Sequence, residues 1–138
     1  MIRHFLLDTP ACVFMSSGEP LRAGASERLS EQMAQGARLC VSPATAFEAG
    51  ILASTGRVAI KTDPMTWFRA LLALPGARLV RMPPSILVAS SFLPGTPPPD
   101  PVDRLLAATA RAYNMILVTR DRPLLDYGRA GHVEAMAC

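Results

Sequence analysis

The feature that most limits the fold is an alternation of short apolar runs with helix-start signals. Three helix starts are marked by a cap residue followed directly by proline: Ser42-Pro43, Asp63-Pro64 and Asp100-Pro101. Proline suits the first helical position because the N–H it lacks would have no partner inside the helix. Strands that alternate with helices in this way predict an α/β layered fold with parallel strand pairing.

The apolar runs and the turn residues between them give approximate bounds for each element. We predict strands over 5–7, 39–41, 78–82, 115–119 and, more weakly, 132–136. We predict helices over 26–35, 43–55, 64–74, 85–93 and 101–113, with Ser26 capping the first of them. The proline-rich segment 94–99 is interpreted as a loop inside the domain.

Length and composition favour one globular domain, residues 1–138. Half of the residues are hydrophobic and 18% are charged, which excludes an intrinsically disordered chain. No apolar stretch reaches the length of about 18 residues that a membrane-spanning helix needs. Charged residues also come too early for the apolar stretch of a secretory signal. We therefore expect no membrane segment and a cytoplasmic location.

Cysteines and basic residues add little specific information. Cys12, Cys40 and Cys138 are far apart and odd in number, which favours reduced thiols over a metal site or a disulfide framework. The net charge is +3 with a pI of about 9.1, and thirteen of the fourteen basic residues are arginine. A pI near 9 is compatible with nucleic-acid binding but does not establish it, and a GC-rich coding sequence is the better explanation for the excess of arginine over lysine.

Four acidic residues are expected to meet at the carboxyl edge of the sheet. Asp8 and Asp121 follow two of the predicted strands, Glu48 lies early in a helix that follows another, and Asp103 lies in a first helical turn. Ligands of parallel sheets bind at this edge. Like charges brought together raise one another's pKa, and a divalent cation such as Mg²⁺ or Mn²⁺ resolves the conflict. Such a cation can activate water for attack on a phosphodiester.

Each of these carboxylates also has a simpler structural interpretation. Asp8 and Asp121 are at positions where a turn or cap residue is common, and Glu48 is compatible with a solvated helix face. Asp103 could serve only to complement the helix dipole, while Asp100 is the better candidate for the cap of the same helix. The metal-site hypothesis therefore depends on the four residues together.

Four sequence blocks, in order along nearly the whole chain, resemble the PIN-domain family and in particular its VapC-type toxins. The blocks are 5–9, 41–48, 100–110 and 117–121, the last followed by 124–127. The resemblance implies a PIN-like three-layer α/β/α sandwich with a central, mostly parallel sheet of four to five strands. The block 100–110 is the most specific of the four.

The resemblance also implies an activity and partners. Relatives of this type are metal-dependent endoribonucleases that use Mg²⁺ or Mn²⁺, are neutralised by a cognate VapB-like antitoxin and commonly form homodimers. Their acidic quartet maps onto residues Asp8, Glu48, Asp103 and Asp121. One departure is Pro10, at a position where relatives often carry His or Asn, so any polar contact made there is missing.

These roles can be assigned residue by residue as a hypothesis. Asp8, Asp103 and Asp121 are expected to hold the metal, directly or through water, and Glu48 to ligate it or to position the attacking water. A second set of residues comprises candidates for binding the substrate: Thr9, Arg104, Thr119, Arg120 and Arg122. The arginines of this set are equally compatible with structural roles.

Two other function classes were weighed against this one. Phosphoryl transfer through an aspartyl nucleophile is disfavoured because Pro10 stands where a second aspartate is needed, and because Lys61 is the only lysine available to a receiver-like domain. A PIN fold that binds RNA or a protein without cutting stays open. The apolar segments 11–15 and 65–72, the latter with Trp67, are interpreted either as core or as a docking groove for an antitoxin helix.

Overall fold

The computed structural model describes residues 2–56 and 62–138. Within them the chain forms a five-stranded, all-parallel sheet in the order β3-β2-β1-β4-β5. Lys61, the lysine that a receiver-like domain would need, lies outside these residues. The strands are β1 (Phe5–Leu7), β2 (Leu39–Val41), β3 (Ala77–Leu79), β4 (Ile116–Thr119) and β5 (Glu134–Ala137).

Seven helices connect these strands in the described part of the chain. The predicted α/β fold class and parallel pairing are confirmed, and all five predicted strands exist with bounds shifted by at most a few residues. The helices are α1 (Thr9–Ser17), α2 (Ala23–Ala34), α3 (Pro43–Ser54), α4 (Pro64–Leu72), α5 (Pro84–Ala89), α6 (Pro101–Tyr113) and α7 (Arg122–Arg129).

The sheet has a separate apolar cluster on each face, which gives the expected three layers. Alternate strand residues point to opposite faces, so β1 contributes Phe5 and Leu7 to one cluster and Leu6 to the other. Helices α1, α2 and α4 pack on the first face, and α6 and α7 pack on the second. None of the helices described is long and apolar enough to cross a bilayer.

The helix starts marked by a cap and proline are confirmed at α3, α4 and α6. Ser42 and Asp63 each accept a hydrogen bond from a backbone N–H in the first turn, and Asp100 does the same at α6. Helices α4 and α5 end earlier than expected, at Leu72 and Ala89.

Two helices were not predicted, and one predicted cap is wrong. No helix was predicted at α1 or α7, where the proline follows the cap residue by two positions, as in Asp8-Thr9-Pro10. Pro10 is therefore part of a helix start. Ser26 is not a cap, because its N–H donates to the carbonyl of Arg22 inside α2. Helix α2 begins at Ala23 without a side-chain cap.

The apolar segments 11–15 and 65–72 belong mostly to the core. Trp67 and Phe68 are 8% and 5% exposed, and the Trp67 indole N–H donates to the Ser16 hydroxyl at 3.0 Å. Of these segments only Met65 carries a large apolar side chain that is well exposed, at 46%. The docking interpretation of Trp67 is therefore wrong, and its alternative as a core residue is correct.

Two glycines in helices give a matched test of the packing between α7 and β5. A Cβ added to Gly128 would lie 2.9 Å from Ala135 Cβ, whereas one added to Gly50 in α3 would meet nothing within 4 Å. We expect Gly128→Ala to reduce the free energy of unfolding by about 1–3 kcal/mol through overpacking. Gly50→Ala should raise it by about 0.5–1 kcal/mol, because alanine favours a helix interior over glycine. Urea denaturation of both variants measures the two effects, and equal effects would contradict this packing.

Candidate active site

Asp8 lies directly after the central strand β1 and caps helix α1. Its Oδ1 accepts a hydrogen bond from the Ala11 N–H at 2.8 Å, and its Oδ2 accepts one from the Thr119 hydroxyl at 2.5 Å. The residue is 1% exposed. A carboxylate at a helix N-terminus is stabilised by the unpaired N–H groups there, so the same residue can both begin α1 and keep a charge.

Asp121 holds the equivalent position after β4, where it caps helix α7. Its Oδ2 accepts from the Leu124 N–H at 3.1 Å, and its own N–H donates to the Thr119 hydroxyl oxygen at 2.9 Å. Thr119 therefore donates to one acidic residue and accepts from the backbone of the other. Strands β1 and β4 are neighbours in the sheet, which places Asp8 and Asp121 side by side at the carboxyl edge.

Glu48 reaches the same edge from helix α3 and is half-buried. The Thr9 hydroxyl donates a hydrogen bond to its Oε1 and lies 3.2 Å from the Thr45 hydroxyl oxygen. Thr9 is the first residue of α1, directly after Asp8, so this contact ties the start of α1 to α3. Glu48 is thus held toward Asp8 rather than toward solvent.

Asp103 contributes the fourth carboxylate from the first turn of α6. Asp100 is the cap of this helix, as predicted, and accepts from the Val102 N–H at 2.8 Å. Because Asp100 satisfies the free N–H groups, the half-buried Asp103 side chain is not needed as a cap.

Burial and mutual repulsion raise the pKa of these acids. Burial raises the pKa of Asp8 to about 6 against the hydrogen bonds from Thr119 and Ala11, and the charges of Asp121 and Glu48 raise it further. Burial is also the first cause of the raised pKa of Glu48. The carboxyl groups are therefore close enough to repel one another.

The pKa of Asp103 is raised further than that of Asp8. Its pKa is raised to about 7, first by burial and then by the charges of Asp121, Asp100, Glu48 and Asp8. All of these influences raise the pKa, so none of them is a neutralising positive charge. The structure thus brings all four predicted acidic residues to one place.

The oxygen donors of this site fit a hard divalent cation, but they do not form a closed cage. No group of three or more His, Cys, Asp or Glu residues within 2–56 and 62–138 is arranged so that it could hold a metal directly. Mg²⁺ commonly keeps several waters and takes only one or two protein carboxylates, together with substrate phosphate oxygens. The arrangement fits that mode of binding, in which further carboxylates act through water.

The candidate substrate-binding arginines have distinct surroundings. Arg104 donates through Nε to the Pro98 carbonyl at 2.7 Å, which is a structural contact. The Arg120 guanidinium lies 3.8 Å above the centre of the Phe14 ring. Arg122 is 82% exposed and lies 3.8 Å from the Asp126 carboxylate. Roles for these arginines in substrate binding stay predictions.

Two residues of the site were not assigned to it by the sequence analysis. Thr45 lies near the Thr9 hydroxyl, and Asp100 adds a fifth negative charge that raises the pKa of Asp103 and Glu48. Thr45 precedes Glu48 by three residues in a helix, a spacing that places both on the same face. That spacing could have identified Thr45 once the helix was recognised.

Comparison with known proteins assigns the family. The family model described as PIN domain matches residues 5–130. The chain belongs to the PIN domain family. It is also 33% identical over 122 residues to Ribonuclease VapC22 of Mycobacterium tuberculosis, a match that covers 88% of this chain and 90% of that protein. This PIN domain is therefore a VapC-type ribonuclease homologue, and the resemblance inferred from its four sequence blocks is confirmed.

Solved structures agree with the fold at lower identity. VapBC2 from Rickettsia felis, bound to a promoter DNA fragment, has a TM-score of 0.67 at 16% identity and covers 96% of this chain and 97% of its own. DNA-bound VapBC from Salmonella typhimurium has a TM-score of 0.65 at 20% identity, with 98% of both chains covered. These likenesses show that the three-layer PIN fold is shared.

The raised pKa values predict how the stability of the metal-free PIN domain depends on pH. Asp8 and Asp103 titrate at about 6 and 7 in the folded chain, above their ordinary value of 3.8. The stabilisation that this provides is complete below the unfolded pKa and is lost as the pH rises through the folded pKa values. With chelator present, the Tm should therefore fall between pH 5 and pH 8.

Neutral variants locate the cause of this dependence. Asp8→Asn and Asp103→Asn should each flatten the fall in Tm, because each removes one titrating group. Asparagine at position 8 can still cap α1, and Asp103 is not the cap of α6. Glu27→Gln, at an exposed position on α2, should leave the fall unchanged. A Tm that rises over this range in the wild-type chain would contradict the raised pKa values.

Proposed function

We propose that this PIN domain is a VapC-type endoribonuclease that hydrolyses RNA phosphodiester bonds with Mg²⁺ or Mn²⁺. The observation that carries the proposal is the convergence of four mutually repelling carboxylates at the sheet edge of a chain 33% identical to a VapC ribonuclease. The proposed metal ligands are Asp8, Asp103 and Asp121. A bound divalent cation would supply an activated water and would stabilise charge on the phosphodiester.

The protein side chains prepare this chemistry through hydrogen bonds. Thr119 holds Asp8 by a donated hydrogen bond, which keeps one carboxylate oxygen in a fixed direction. Thr9 does the same for Glu48. The raised pKa of Glu48 brings it nearer to the operating pH, as is required of a group that positions an attacking water and accepts its proton. Hydrolysis then breaks the bond from phosphorus to the leaving oxygen of the RNA.

The proposal extends to partners and setting. A cognate VapB-like antitoxin, a homodimer, a cytoplasmic location and one functional domain over residues 1–138 are part of it. Support for protein partners comes from large apolar side chains that remain exposed at α3 and around α5, since such patches mark interaction surfaces. They are Phe47, Ile51, Leu87, Val88 and Phe92, with exposures from 44% to 80%.

A second candidate is a PIN fold that binds RNA or a protein without cutting. It is favoured by the lack, among the described residues, of three side chains arranged to hold a metal directly. Calorimetric titration with Mn²⁺ separates the two candidates. Binding that is lost in Asp103→Asn supports the nuclease, and a folded chain that binds no Mn²⁺ supports the module.

The first test of catalysis is neutralisation of the most buried carboxylate. Asp8→Asn should reduce metal-dependent RNA cleavage to background, because the amide cannot supply negative charge to a cation while it can still cap α1. Cleavage of tRNA, rRNA and mRNA with and without chelator measures the effect. Asp126→Asn, an exposed acid outside the site, is the control and should cleave normally. Undiminished cleavage by a well-folded Asp8→Asn protein would refute the assignment.

A second test addresses Thr119 as a positioning residue. Thr119→Val removes the hydroxyl that donates to Asp8, so cleavage should fall roughly ten- to a hundredfold. Because this hydrogen bond lowers the pKa of Asp8, its loss should also move the acidic limb of the pH–rate profile upward. Thr119→Ser should restore both properties.

The control for Thr119 is another buried threonine. The Thr109 hydroxyl donates to the Leu105 carbonyl inside α6, at 2.7 Å, away from the carboxylates. Thr109→Val should leave the pH–rate profile in place. A Thr119→Val enzyme with normal rate and normal profile would show that the hydroxyl does not position Asp8.

A further inference from the structure

A cavity of about 260 Å³ opens beside the edge strand β3, on the sheet face that also carries α6. Its floor is apolar and includes Cys40, Val80 and Met115. The side chains around it include Arg78, which belongs to β3, and Arg81, which follows it. Among residues 2–56 and 62–138, no acidic side chain lines the cavity. The cavity is thus an apolar floor with positively charged groups at its border.

A third arginine adds to this positive charge. Burial raises the pKa of the Cys40 thiol, and the charges of Arg78 and of Arg38, which directly precedes β2, partly counteract this rise. Both guanidinium groups therefore lie close to Cys40 at the cavity floor. Arg38, Arg78 and Arg81 are all exposed.

These three arginines have no ion-pair partner among the described residues. The undescribed residues, Met1 and 57–61, contain no acidic side chain that could neutralise them. The arginines that do form ion pairs contact Glu134 or Asp126, which lie in β5 and α7. They are Arg3, Arg28, Arg122 and Arg129. The charge at the β3 edge is therefore available to an external anion.

An aromatic ring forms one wall of the cavity. Tyr113, the last residue of α6, is 41% exposed, and its hydroxyl donates to the Arg81 carbonyl at 2.9 Å. His4 also lines the cavity, and its Nδ1 accepts from the Arg38 N–H at 2.9 Å, which leaves Nε2 to carry the ring hydrogen. An exposed ring beside arginines suits a base with its phosphate, because bases stack on aromatic side chains and guanidinium groups bind phosphate in a fork.

We propose that this cavity binds one nucleotide, with the phosphate at Arg78 and Arg81 and the base against Tyr113. The cavity extends toward the amino ends of the strands, since His4 and Met115 directly precede β1 and β4. Tyr113 follows Asp103 by ten residues on α6, so the two lie about 15 Å apart along the helix axis. A helical nucleic-acid strand covers that distance in about five nucleotides. The nucleotide can therefore belong to an RNA that is also held at the carboxylates, and this version of the inference rests on the proposed function. Alternatively, it can be a free mononucleotide.

Binding of a labelled single-stranded oligoribonucleotide, in chelator to prevent cleavage, tests the cavity. Arg78→Ala and Arg81→Ala should each weaken binding about tenfold, because each removes a charged hydrogen bond to phosphate. Tyr113→Ala should weaken it by a similar factor, while Tyr113→Phe, which keeps the ring, should bind about as well as the wild type. Arg69→Ala removes the same charge from an exposed position on α4, at the opposite face of the sheet, and should have no effect.

The remaining outcomes decide the source and the class of ligand. Binding of a mononucleotide with the same dependence on Arg78 and Arg81 supports the cavity and assigns it to free nucleotide. Two results would overturn the proposal, because they would show that RNA binds only through non-specific electrostatic attraction. One is equal weakening of binding by Arg69→Ala, and the other is displacement of the RNA by an acidic peptide as effectively as by unlabelled RNA. Since the assay needs no cleavage, a chain that fails to cut RNA with Mn²⁺ refutes the proposed function alone.

Discussion

Mutual repulsion of carboxylates at one sheet edge is the constraint on which the site depends. Parallel strands end at the same edge, and the order β1-β4 puts Asp8 and Asp121 side by side there. Burial then raises the pKa of Asp8 instead of letting water screen its charge. The apolar clusters on the two faces of the sheet provide the stabilisation that offsets this cost. The folded chain thus holds several negative charges close together, which is the arrangement that the proposed cation site requires.

The residues that begin the helices are also those that form the site. Asp8 and Asp121 each cap a helix, so their carboxylates face free N–H groups at a positive helix end. This keeps both side chains fixed without the help of an arginine, which would neutralise the attraction for a cation. It also means that alanine at either position would remove a cap together with a charge. Asparagine separates the two roles, because its side chain can still accept a cap hydrogen bond.

The sequence allowed the layered fold and the acidic quartet to be predicted, but not every element. Periodicity and proline signals were enough for α3, α4 and α6. Helices α1 and α7 were missed because their proline occupies the second helical position, where the N–H is equally dispensable. Thr45 could have been found from its helical spacing to Glu48, whereas the effect of Asp100 on Glu48 depends on the distance between α6 and α3, which no local pattern contains.

The distribution of arginines follows from the same electrostatics. If the carboxylates hold a cation as proposed, they repel RNA, so positive charge that binds the polymer has to lie where it does not pair with them. At the β5 edge, Arg3 and Arg28 are paired with Glu134 and are therefore poorly suited to this role. At the β3 edge, no carboxylate in the described part of the chain lines the cavity beside Arg78. The outer strands β3 and β5 are separated by the full width of the sheet. The arginines near β5 can therefore form structural ion pairs while those near β3 remain available to phosphate.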